Sequence, residues 1–352
     1  MSTIDIASFR EREAQGFITC RPHPYEDLLI WNYTARCQFD RIWDEVTMQA
    51  RGLITKGDGT IVARPFRKFF NYEEYQGNLP LESFKITEKM DGSLGILYFV
   101  NGMPYIATRG SFTSEQAERA TKILYDRYHD FIPALQGWPY YTLLFEIIYP
   151  GNRIVVDYGD MEDLVLLTVI FTETGEEYDI HKPLWVKMWP FPLVRQYDGI
   201  TDIARLRERE EANKEGFVIH FASGLRLKMK YADYVRLHRL ITQVNAKTIW
   251  ELLRNKQTFD DLLSHVPDEY YAWVTSTRDS LLAQFTSIER ESRVIYEQVK
   301  DIPTRKEQAA IVTKTPYAAV VFRMLDSKDY AEIIWKQIRP QAERPFREDI
   351  DA

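Results

Sequence analysis

The sequence predicts an α+β protein in which an N-terminal domain built on antiparallel sheets, residues 1–240, precedes a smaller all-α domain, residues 241–352. Three observations support this class. Up to residue 240 the chain consists mainly of short alternating or apolar runs separated by turn signals. After Lys230 the spacing of apolar residues changes from two to about 3.6, the period of a helix. A chain of 352 residues with 45% hydrophobic residues can also supply two cores.

Several strands and one helix of the N-terminal domain can be predicted individually. Asn101-Gly102 separates two apolar runs and predicts a hairpin with a tight turn. The residues from Ser114 to Ala117 open a stretch of helix formers that ends near Tyr128, which predicts a helix. The predicted strands are Leu94–Val100, Pro104–Thr108, Leu143–Ile148, Leu164–Phe171, Phe217–Phe221 and Leu225–Lys230.

Helical spacing dominates the C-terminal third of the chain. One apolar stripe predicts a long amphipathic helix, and it comprises Leu281, Phe285, Ile288, Ile295 and Val299. Trp250 and Leu253, and the run from Tyr317 to Trp335, follow the same period. Basic and acidic residues nearly balance in this part, so the sequence indicates no basic cradle for nucleic acid there.

The charge of the chain excludes an overall basic nucleic-acid binder. Its 45 basic and 52 acidic residues give a formal charge of -7, so any polyanion site must be local. The cysteines, Cys20 and Cys37, form neither a zinc-ligand cluster nor a disulfide framework, which favours free thiols in a reducing compartment. The N-terminus lacks a basic segment followed by an apolar core, and no apolar run is long enough to cross a bilayer. We therefore expect a cytoplasmic protein with no membrane partner.

The run Lys89-Met90-Asp91-Gly92 carries the strongest chemical signal. It places an amine beside a carboxylate at a turn, the arrangement expected of a nucleophilic lysine that attacks a nucleotide phosphate. Chance alone should supply Lys-x-Asp-Gly in on the order of one chain in ten of this length, and the alternative is a surface lysine before a turn. The interpretation therefore depends on the residues that accompany it.

Two glutamates lie where an ionised side chain needs a partner or a pocket. Glu146 is embedded in an apolar strand, where an unpaired charge would be costly. Glu215 directly precedes another strand. Carboxylates that project from neighbouring strands into a phosphate site can hold a hard divalent ion, for which magnesium is the natural candidate. The alternatives are a strand-end glutamate paired with a surface lysine and an ordinary Glu-Gly turn.

Cations accompany these acids. Lys228 and Lys230 alternate with two apolar residues, so both ammonium groups should lie on one face of a strand, where they can hold phosphate oxygens. The alternative is a solvated basic strand edge. Other cations and aromatic residues suited to a triphosphate and a base are Arg51, Lys68, Phe70 and Arg109.

In chain order, four short motifs are K-M-D-G at Lys89, F-E-I-I at Phe145, E-G-F-V at Glu215 and L-K-M-K at Leu227. This series resembles that of the covalent nucleotidyltransferases, which include ATP-dependent ligases and mRNA capping enzymes. Within that superfamily the chain is most similar to the RNA ligase 1 family of T-even bacteriophages. The longer matching stretches are A-R-G-L at Ala50–Leu53, R-P-F-R-K-F-F-N at Arg64–Asn71, T-E-K-M-D-G-S-L at Thr87–Leu94, R-G-S-F-T-S-E-Q-A at Arg109–Ala117, F-E-I-I-Y-P-G-N-R-I-V at Phe145–Val155 and L-K-M-K-Y-A-D-Y-V-R-L-H at Leu227–His238. The resemblance covers nearly all of residues 30–240.

The resemblance implies an adenylyltransferase domain at 1–240 and a reaction in three steps. Lys89 attacks the ATP α-phosphate to give lysyl-AMP, the AMP passes to an RNA 5′-phosphate, and an RNA 3′-hydroxyl then displaces the AMP. The catalytic residues implied are Lys89, Lys228, Lys230, Glu146, Glu215 and Asp91. The ATP contacts implied are Arg51, Lys68, Phe70, Trp31 and Glu88, together with Lys89, Glu146, Lys228 and Lys230. The ligands implied for Mg²⁺ or Mn²⁺ are Glu215, Glu146, Asp91 and Asp260.

The chain departs from this family in three places. Trp31 stands where the phage family has a tyrosine near the nucleotide. Arg109, to which the resemblance gives an RNA-binding or auxiliary role, stands where the family has a lysine, and arginine keeps the charge but changes the geometry. In the helical domain only the segment that begins at Asp260 echoes an acidic position near the metal, and a helix-start carboxylate is the alternative.

These observations predict an ATP-dependent RNA ligase that joins 3′-hydroxyl and 5′-phosphate ends in RNA repair, with cleaved tRNA as a candidate substrate. A DNA ligase and a capping enzyme are alternatives, but a small β-barrel usually follows their motif series. A noncatalytic RNA-binding module is the other alternative, although it has no physical reason to keep so many buried charges. No Gly-x-x-x-x-Gly-Lys-Ser/Thr loop is present, so we expect a separate end-healing kinase or phosphatase. We expect a monomer whose helical domain selects the RNA.

Overall fold

The computed structural model describes residues 2–75, 77–206, 209–235, 245–259, 262 and 268–340. The chain divides into two compact units, Met1–Leu240 and Ile241–Ala352. Within the described residues the first unit contains three sheets with mostly antiparallel pairing, and the second unit is helical. The predicted α+β class is confirmed.

The strands in chain order are β1 Ile18–Pro22, β2 Leu29–Tyr33, β3 Arg51–Thr55, β4 Ile61–Ala63, β5 Phe70–Asn71, β6 Phe84–Lys89, β7 Ser93–Val100, β8 Met103–Thr108, β9 Tyr141–Ile148, β10 Asp163–Phe171, β11 Glu177–Tyr178, β12 Gln196–Tyr197, β13 Gly216–Phe221 and β14 Arg226–Lys230. The helices of the first unit are α1 Ile6–Ala14, α2 Ala35–Phe39, α3 Glu45–Gln49, α4 Glu115–Arg127, α5 Ile132–Gln136 and α6 Pro183–Val186.

The first sheet has the order β1-β2-β3-β4. Its strands and the N-terminal helices enclose an apolar cluster that includes Phe9, Trp31 and Leu53. Helix α3 begins with a capping box, in which the Asp44 side chain accepts from the Thr47 backbone and the Thr47 side chain accepts from the Asp44 backbone. This box fixes the point at which the chain enters β3.

The second sheet has the order β11-β10-β9-β7-β8 and packs against α4 and α5. The predicted hairpin joins β7 to β8, and its turn residues Asn101 and Gly102 have φ values of 51° and 78°, as a two-residue hairpin turn of the primed type requires. The predicted helix is α4, with Ser114 as its N-cap. Both predictions are confirmed.

The third sheet, with the order β12-β6-β13-β14-β5, sets the register of the chemically important residues. Gly216 at the start of β13 lies opposite Lys89 on β6 and opposite Lys230 on β14. Gly216 has a φ of 147°, and a Cβ there would lie 2.1 Å from the Met229 carbonyl oxygen, so only glycine fits. The sheet therefore brings residues 89 and 230 to the same point from two sides.

The alternation predicted for β14 is confirmed. Leu227 and Met229 are buried in the apolar cluster behind the third sheet. Lys228 and Lys230 lie on the other face of the strand, since successive side chains of a strand alternate. Strand β14 also runs parallel to β5, which pairs Lys228 with Asn71.

The helices of the second unit are α7 Ala246–Arg254, α8 Asp268–Val299, α9 Arg305–Val312, α10 Ala318–Leu325 and α11 Ala331–Gln337. The predicted stripe lies on α8, where Leu281 and Val299 are buried while Val294 is exposed. The Trp250 indole donates to the Trp335 carbonyl oxygen at 2.8 Å and so ties α7 to α11. No helix within the described ranges is both long and apolar enough to span a membrane.

Candidate active site

The Glu215 carboxylate is the centre of the charged cluster. It is 3% exposed, and its Oε1 atom lies 2.5 Å from Lys89 Nζ and 3.0 Å from Lys230 Nζ. Burial by itself would raise the pKa of Glu215, but the two ammonium groups outweigh burial and hold the pKa below its ordinary value. Glu215 is therefore an ionised, buried anion shared by two lysines.

Glu146 approaches the same cluster from the second sheet, where β9 pairs it with Leu94. Its side chain keeps some exposure, yet the carboxyl is surrounded by protein. This burial, together with the nearby Glu215 and Asp91 carboxylates, raises the pKa of Glu146 to about 8, although Lys89 partly offsets the rise. Glu146 and Glu215 thus differ in ionisation although they belong to one cluster.

Gly92 allows the lysine loop to approach β9. A Cβ at this position would lie 2.7 Å from the Ile147 carbonyl oxygen and 3.2 Å from Glu146 Cγ. A larger residue would therefore push the loop that follows Lys89 away from the carboxylates.

Asp91 is held by four hydrogen bonds. Its Oδ2 accepts from the backbone N–H groups of Val155 and Val156, each at 2.8 Å, and its Oδ1 accepts from the Tyr234 hydroxyl at 2.8 Å. Its own backbone N–H donates to the Tyr158 hydroxyl at 2.8 Å. Both carboxylate oxygens thus bond to the protein, an arrangement that favours positioning of the Lys89 loop over metal coordination.

Two cations upstream of the lysine loop contact aromatic rings. Lys68 is 5% exposed, and its Nζ lies 5.4 Å from the Phe70 ring centroid. The Arg51 guanidinium lies 5.0 Å from the Phe69 ring. Because β5 runs beside β14, the segment that carries Lys68 adjoins the strand of Lys228.

Two of the residues predicted to contact ATP lie elsewhere. The Trp31 indole is 0% exposed within the cluster of the first sheet, and its Nε1 donates to Thr55 Oγ1 at 3.0 Å, so its face is not accessible to a nucleotide. The Glu88 carboxylate accepts from Lys214 Nζ at 2.8 Å on the opposite face of β6 from Lys89.

Arg109 lies near Tyr33, to whose hydroxyl it donates at 3.0 Å. Asp260 lies outside the described residues.

The carboxylates of the cluster can be compared with the needs of a divalent ion. Among the residues that the structure describes, no group of three or more His, Cys, Asp or Glu side chains could hold a metal. Glu146 and Glu215 nevertheless interact electrostatically within one site. Magnesium is commonly bound by one or two carboxylates together with waters and substrate phosphates. The donor set therefore fits an ion completed by substrate and water, and not a closed protein cage.

Sequence reasoning missed several tyrosines that contact predicted site residues. The Tyr234 ring lies 5.0 Å from Lys230 Nζ, and its hydroxyl also bonds to Asp91. Tyr158 bonds to Asp91, and Tyr33 bonds to Arg109. A tyrosine carries no motif signal by itself, although Tyr234 stands only four residues after Lys230.

Comparison with known proteins places the chain in a family. A family model described as RNA ligase matches residues 49–235, more than half of the chain. An RNA ligase of Rhodothermus phage RM378 is 24% identical over 356 residues, with 78% of each chain covered. A putative bifunctional polynucleotide kinase/RNA ligase of Autographa californica nuclear polyhedrosis virus is 28% identical over 268 residues, which cover 68% of this chain and 38% of the viral protein. The chain therefore matches well under two thirds of that relative's length.

A solved structure, an RNA ligase mutant of Naegleria gruberi with ATP and Mn, is 19% identical with a TM-score of 0.36, and covers 43% of this chain and 50% of that one. So low a score adds nothing to the assignment. The residues matched by the family model include the strands from β3 onward and every residue of the Glu215 cluster. On this match, the chain belongs to the RNA ligase family.

Proposed function

We propose that this protein is an ATP-dependent RNA ligase that joins an RNA 3′-hydroxyl to an RNA 5′-phosphate, with Lys89 as the residue that carries AMP. One observation carries the proposal. Lys89 and Lys230 meet at a single oxygen of the buried Glu215 carboxylate. Two ammonium groups held around one anionic oxygen are also suited to an oxygen of a nucleotide phosphate.

In the first step Lys89 Nζ attacks the α-phosphorus of ATP. The N–P bond forms, the bond from the α-phosphorus to the bridging oxygen breaks, and pyrophosphate leaves with the electron pair. The Lys89 ammonium group first releases a proton to water, and Glu215, whose Oε1 lies 2.5 Å from Lys89 Nζ, holds the amine in place. Lys228 and Lys230 offset the charge that develops on the α-phosphate oxygens.

The later steps use the same pocket. An oxygen of the RNA 5′-phosphate attacks the α-phosphorus, the N–P bond breaks, and Lys89 recovers a proton. The RNA 3′-hydroxyl then attacks the 5′-phosphorus and gives its proton to water, a phosphodiester forms, and AMP leaves with the electron pair. Neither Lys228 nor Lys230 is consumed in the reaction, so both lysines are available to the reacting phosphate in all three steps.

Glu146 and Glu215 are the residues that would hold a magnesium or manganese ion, with Asp91 acting by positioning. Such an ion supplies charge neutralisation at the phosphates when it is bound. The ATP and Mn named for the Naegleria gruberi enzyme are compatible with this choice. Arg51 and Lys68 would face the outgoing phosphates, and Phe70 would pack against the base.

The test is covalent labelling of Lys89. The protein is incubated with magnesium and ATP labelled at the α-phosphate, and protein-bound label is measured after denaturation. We expect label on the wild type and on Lys85→Ala, a matched lysine of the same strand, but not on Lys89→Ala. An unlabelled wild type, or equal labelling of the Lys89 variant, would refute the proposal.

The choice of nucleotide and nucleic acid separates the remaining alternatives. Labelling by ATP but not GTP argues against a capping enzyme, and sealing of RNA but not DNA ends argues against a DNA ligase. A noncatalytic module predicts no labelling at all. Membership in the RNA ligase family supports RNA as the substrate.

We further propose that residues 1–240 form the adenylyltransferase domain and that residues 241–352 select the RNA, with cleaved tRNA as the candidate. A chain ending near residue 240 should still become labelled but should lose its preference within a panel of broken tRNAs and linear single strands. An unchanged preference would refute the assignment. The viral relative is described as a putative polynucleotide kinase/RNA ligase, which supports pairing with an end-healing kinase.

A further inference from the structure

Lys68 lies in an aromatic box formed by Tyr33, Trp43 and Phe70. Its Nζ is 5.3 Å from the Tyr33 ring centroid, 5.0 Å from the Trp43 centroid and 5.4 Å from the Phe70 centroid. Aromatic faces attract a cation at such distances, and more strongly when the cation is shielded from water. The box therefore fixes the position of a buried ammonium group.

Local structure holds one wall of the box, Trp43, and the lysine that the box encloses. Trp43 directly precedes Asp44, whose capping box starts α3, and Asp44 is also paired with Arg12 at 2.7 Å. The Lys68 backbone N–H donates to the carbonyl of Met48 near the end of that helix at 2.8 Å. Trp43 and Lys68 are thus anchored to opposite ends of one short helix.

Tyr33 serves a second cation. Its ring lies 4.9 Å from the Arg109 guanidinium, and its hydroxyl accepts a hydrogen bond from Arg109 Nη1 at 3.0 Å. The Tyr33 backbone N–H donates to the Ala50 carbonyl, so the ring is fixed at the end of β2. One buried side chain therefore sets the positions of both Lys68 and Arg109.

The box adjoins the lysines of β14. Strand β5 pairs Phe70 with Leu227 and Asn71 with Lys228. A nucleotide whose α-phosphate is held by Lys228 and Lys230 would extend its β- and γ-phosphates toward further cations, and two cations with fixed positions suit a polyphosphate.

We propose that Tyr33, assisted by Trp43, is a positioning residue that holds Lys68 and Arg109 as a subsite for the polyphosphate tail of the nucleotide. The inference rests on the proposed function and deepens it. It restricts the role of the box to the step that consumes ATP, and excludes it from the sealing of RNA that already carries AMP.

The experiment compares three measurements on the full chain. These are the ATP dependence of Lys89 labelling, the sealing of chemically preadenylylated RNA without ATP, and the binding of inorganic tripolyphosphate by calorimetry. The variants are Tyr33→Phe, which keeps the ring and removes the hydroxyl, Tyr33→Leu, which removes both, and Trp43→Leu. Tyr128→Phe is the matched control, because it removes a tyrosine hydroxyl that bonds to Asp163 far from the cluster.

We expect Tyr33→Phe to raise the KM for ATP and weaken tripolyphosphate binding by about tenfold, as for the loss of a hydrogen bond to a charged group. Tyr33→Leu should raise the KM for ATP and weaken tripolyphosphate binding by on the order of a hundredfold, because the cation–π contacts are lost as well. Trp43→Leu should change in the same direction by less. Sealing of preadenylylated RNA should stay within about twofold of the wild type in all of them, since that reaction has no polyphosphate.

Equal loss in all three measurements, or no change in labelling and tripolyphosphate binding, would overturn the inference. If the wild type is not labelled by ATP, the proposed function has failed, and tripolyphosphate binding still decides on the subsite. Weaker binding by Tyr33→Phe than by Tyr128→Phe supports the subsite in that case, and equal binding overturns it.

Discussion

The two ends of β14 each neutralise a carboxylate, one partly buried and one buried, but they do so in different ways. At one end the Arg226 guanidinium makes two hydrogen bonds to Glu177, at 2.9 Å and 2.6 Å, and lies 4.2 Å from the Phe66 ring. At the other end Lys230 shares a single oxygen of Glu215 with Lys89. Both pairs belong to the interior of the first unit, and only the second lies at the proposed nucleophile.

The difference separates a permanent ion pair from an exchangeable one. A guanidinium fork that engages both oxygens of a carboxylate and packs on a ring has a fixed geometry. Two ammonium groups around one oxygen carry no such fork, and a phosphate oxygen can replace the carboxylate between them. Arginine therefore suits the connection between the second and third sheets, and lysine suits the proposed chemistry.

The largest expected effect is on labelling when Glu215 is changed. Glu215→Gln keeps the shape but removes the charge that Lys89 and Lys230 share, so the labelling rate should fall at least about a hundredfold. Glu177→Gln, the matched change at the other end of β14, should keep most of the rate where the protein is folded. Single-turnover labelling of both variants, with circular dichroism as the check on folding, tests the distinction. Equal losses of the labelling rate in the two variants would contradict the distinction between the two ion pairs.

A smaller effect, on stability, should appear at the Arg226 end. Arg226→Met leaves the partly buried Glu177 without its main partner and should lower the free energy of unfolding by about 2 kcal/mol. The same change at Lys230 should cost less, because Lys89 still pairs with Glu215.

Urea denaturation monitored by fluorescence measures both losses. The double variant Glu177→Met/Arg226→Met should recover most of the stability, because no buried charge is left unpaired. If the double variant is no more stable than Arg226→Met alone, the ion pair is not the source of the loss.

The last expected effect, which is the smallest when it is taken per pH unit, is the dependence of stability on pH. The pKa of Glu215 and that of Glu177 are held below their ordinary values by neighbouring cations that outweigh burial, whereas burial and nearby carboxylates raise the pKa of Glu146 to about 8. A raised pKa means that the folded chain binds the proton more tightly than the unfolded chain. The stability contributed by neutral Glu146 is therefore complete below the unfolded pKa of 4.5 and is lost as the pH rises toward 8.

The slope assigned to this group can reach about 1.4 kcal/mol per pH unit. Glu146→Gln should remove the part of the decline in stability with rising pH that comes from this carboxyl group. Denaturation series between pH 5 and 8 on wild type and variant measure it, and parallel curves would contradict the raised pKa.

Much of the local architecture follows from the sequence because it depends on neighbours along the chain. The Asn101-Gly102 turn, the Ser114 cap of α4 and the alternation in β14 each arise from a few consecutive residues. The stripe on α8 arises from the period of a helix.

The prediction for Trp31 rested on alignment with a tyrosine in the phage family, and the burial of its indole does not favour a nucleotide contact. In the structure the first sheet and α1 bury the indole, and the neighbouring Tyr33 contacts the cations instead. Alternation along β2 puts both rings on one face but cannot say which of them reaches the pocket.

The sequence by itself determined the α+β class and the order of the motifs, and it predicted Lys89 as a candidate nucleophile with acids and cations around it. Only the tertiary structure decided that Lys89 and Lys230 share one oxygen of Glu215 and that Tyr33 joins Lys68 to Arg109. The physical reason is that periodicity reports the face on which a side chain lies. Contacts between distant residues depend instead on the pairing and packing of sheets, which form only when the whole unit folds.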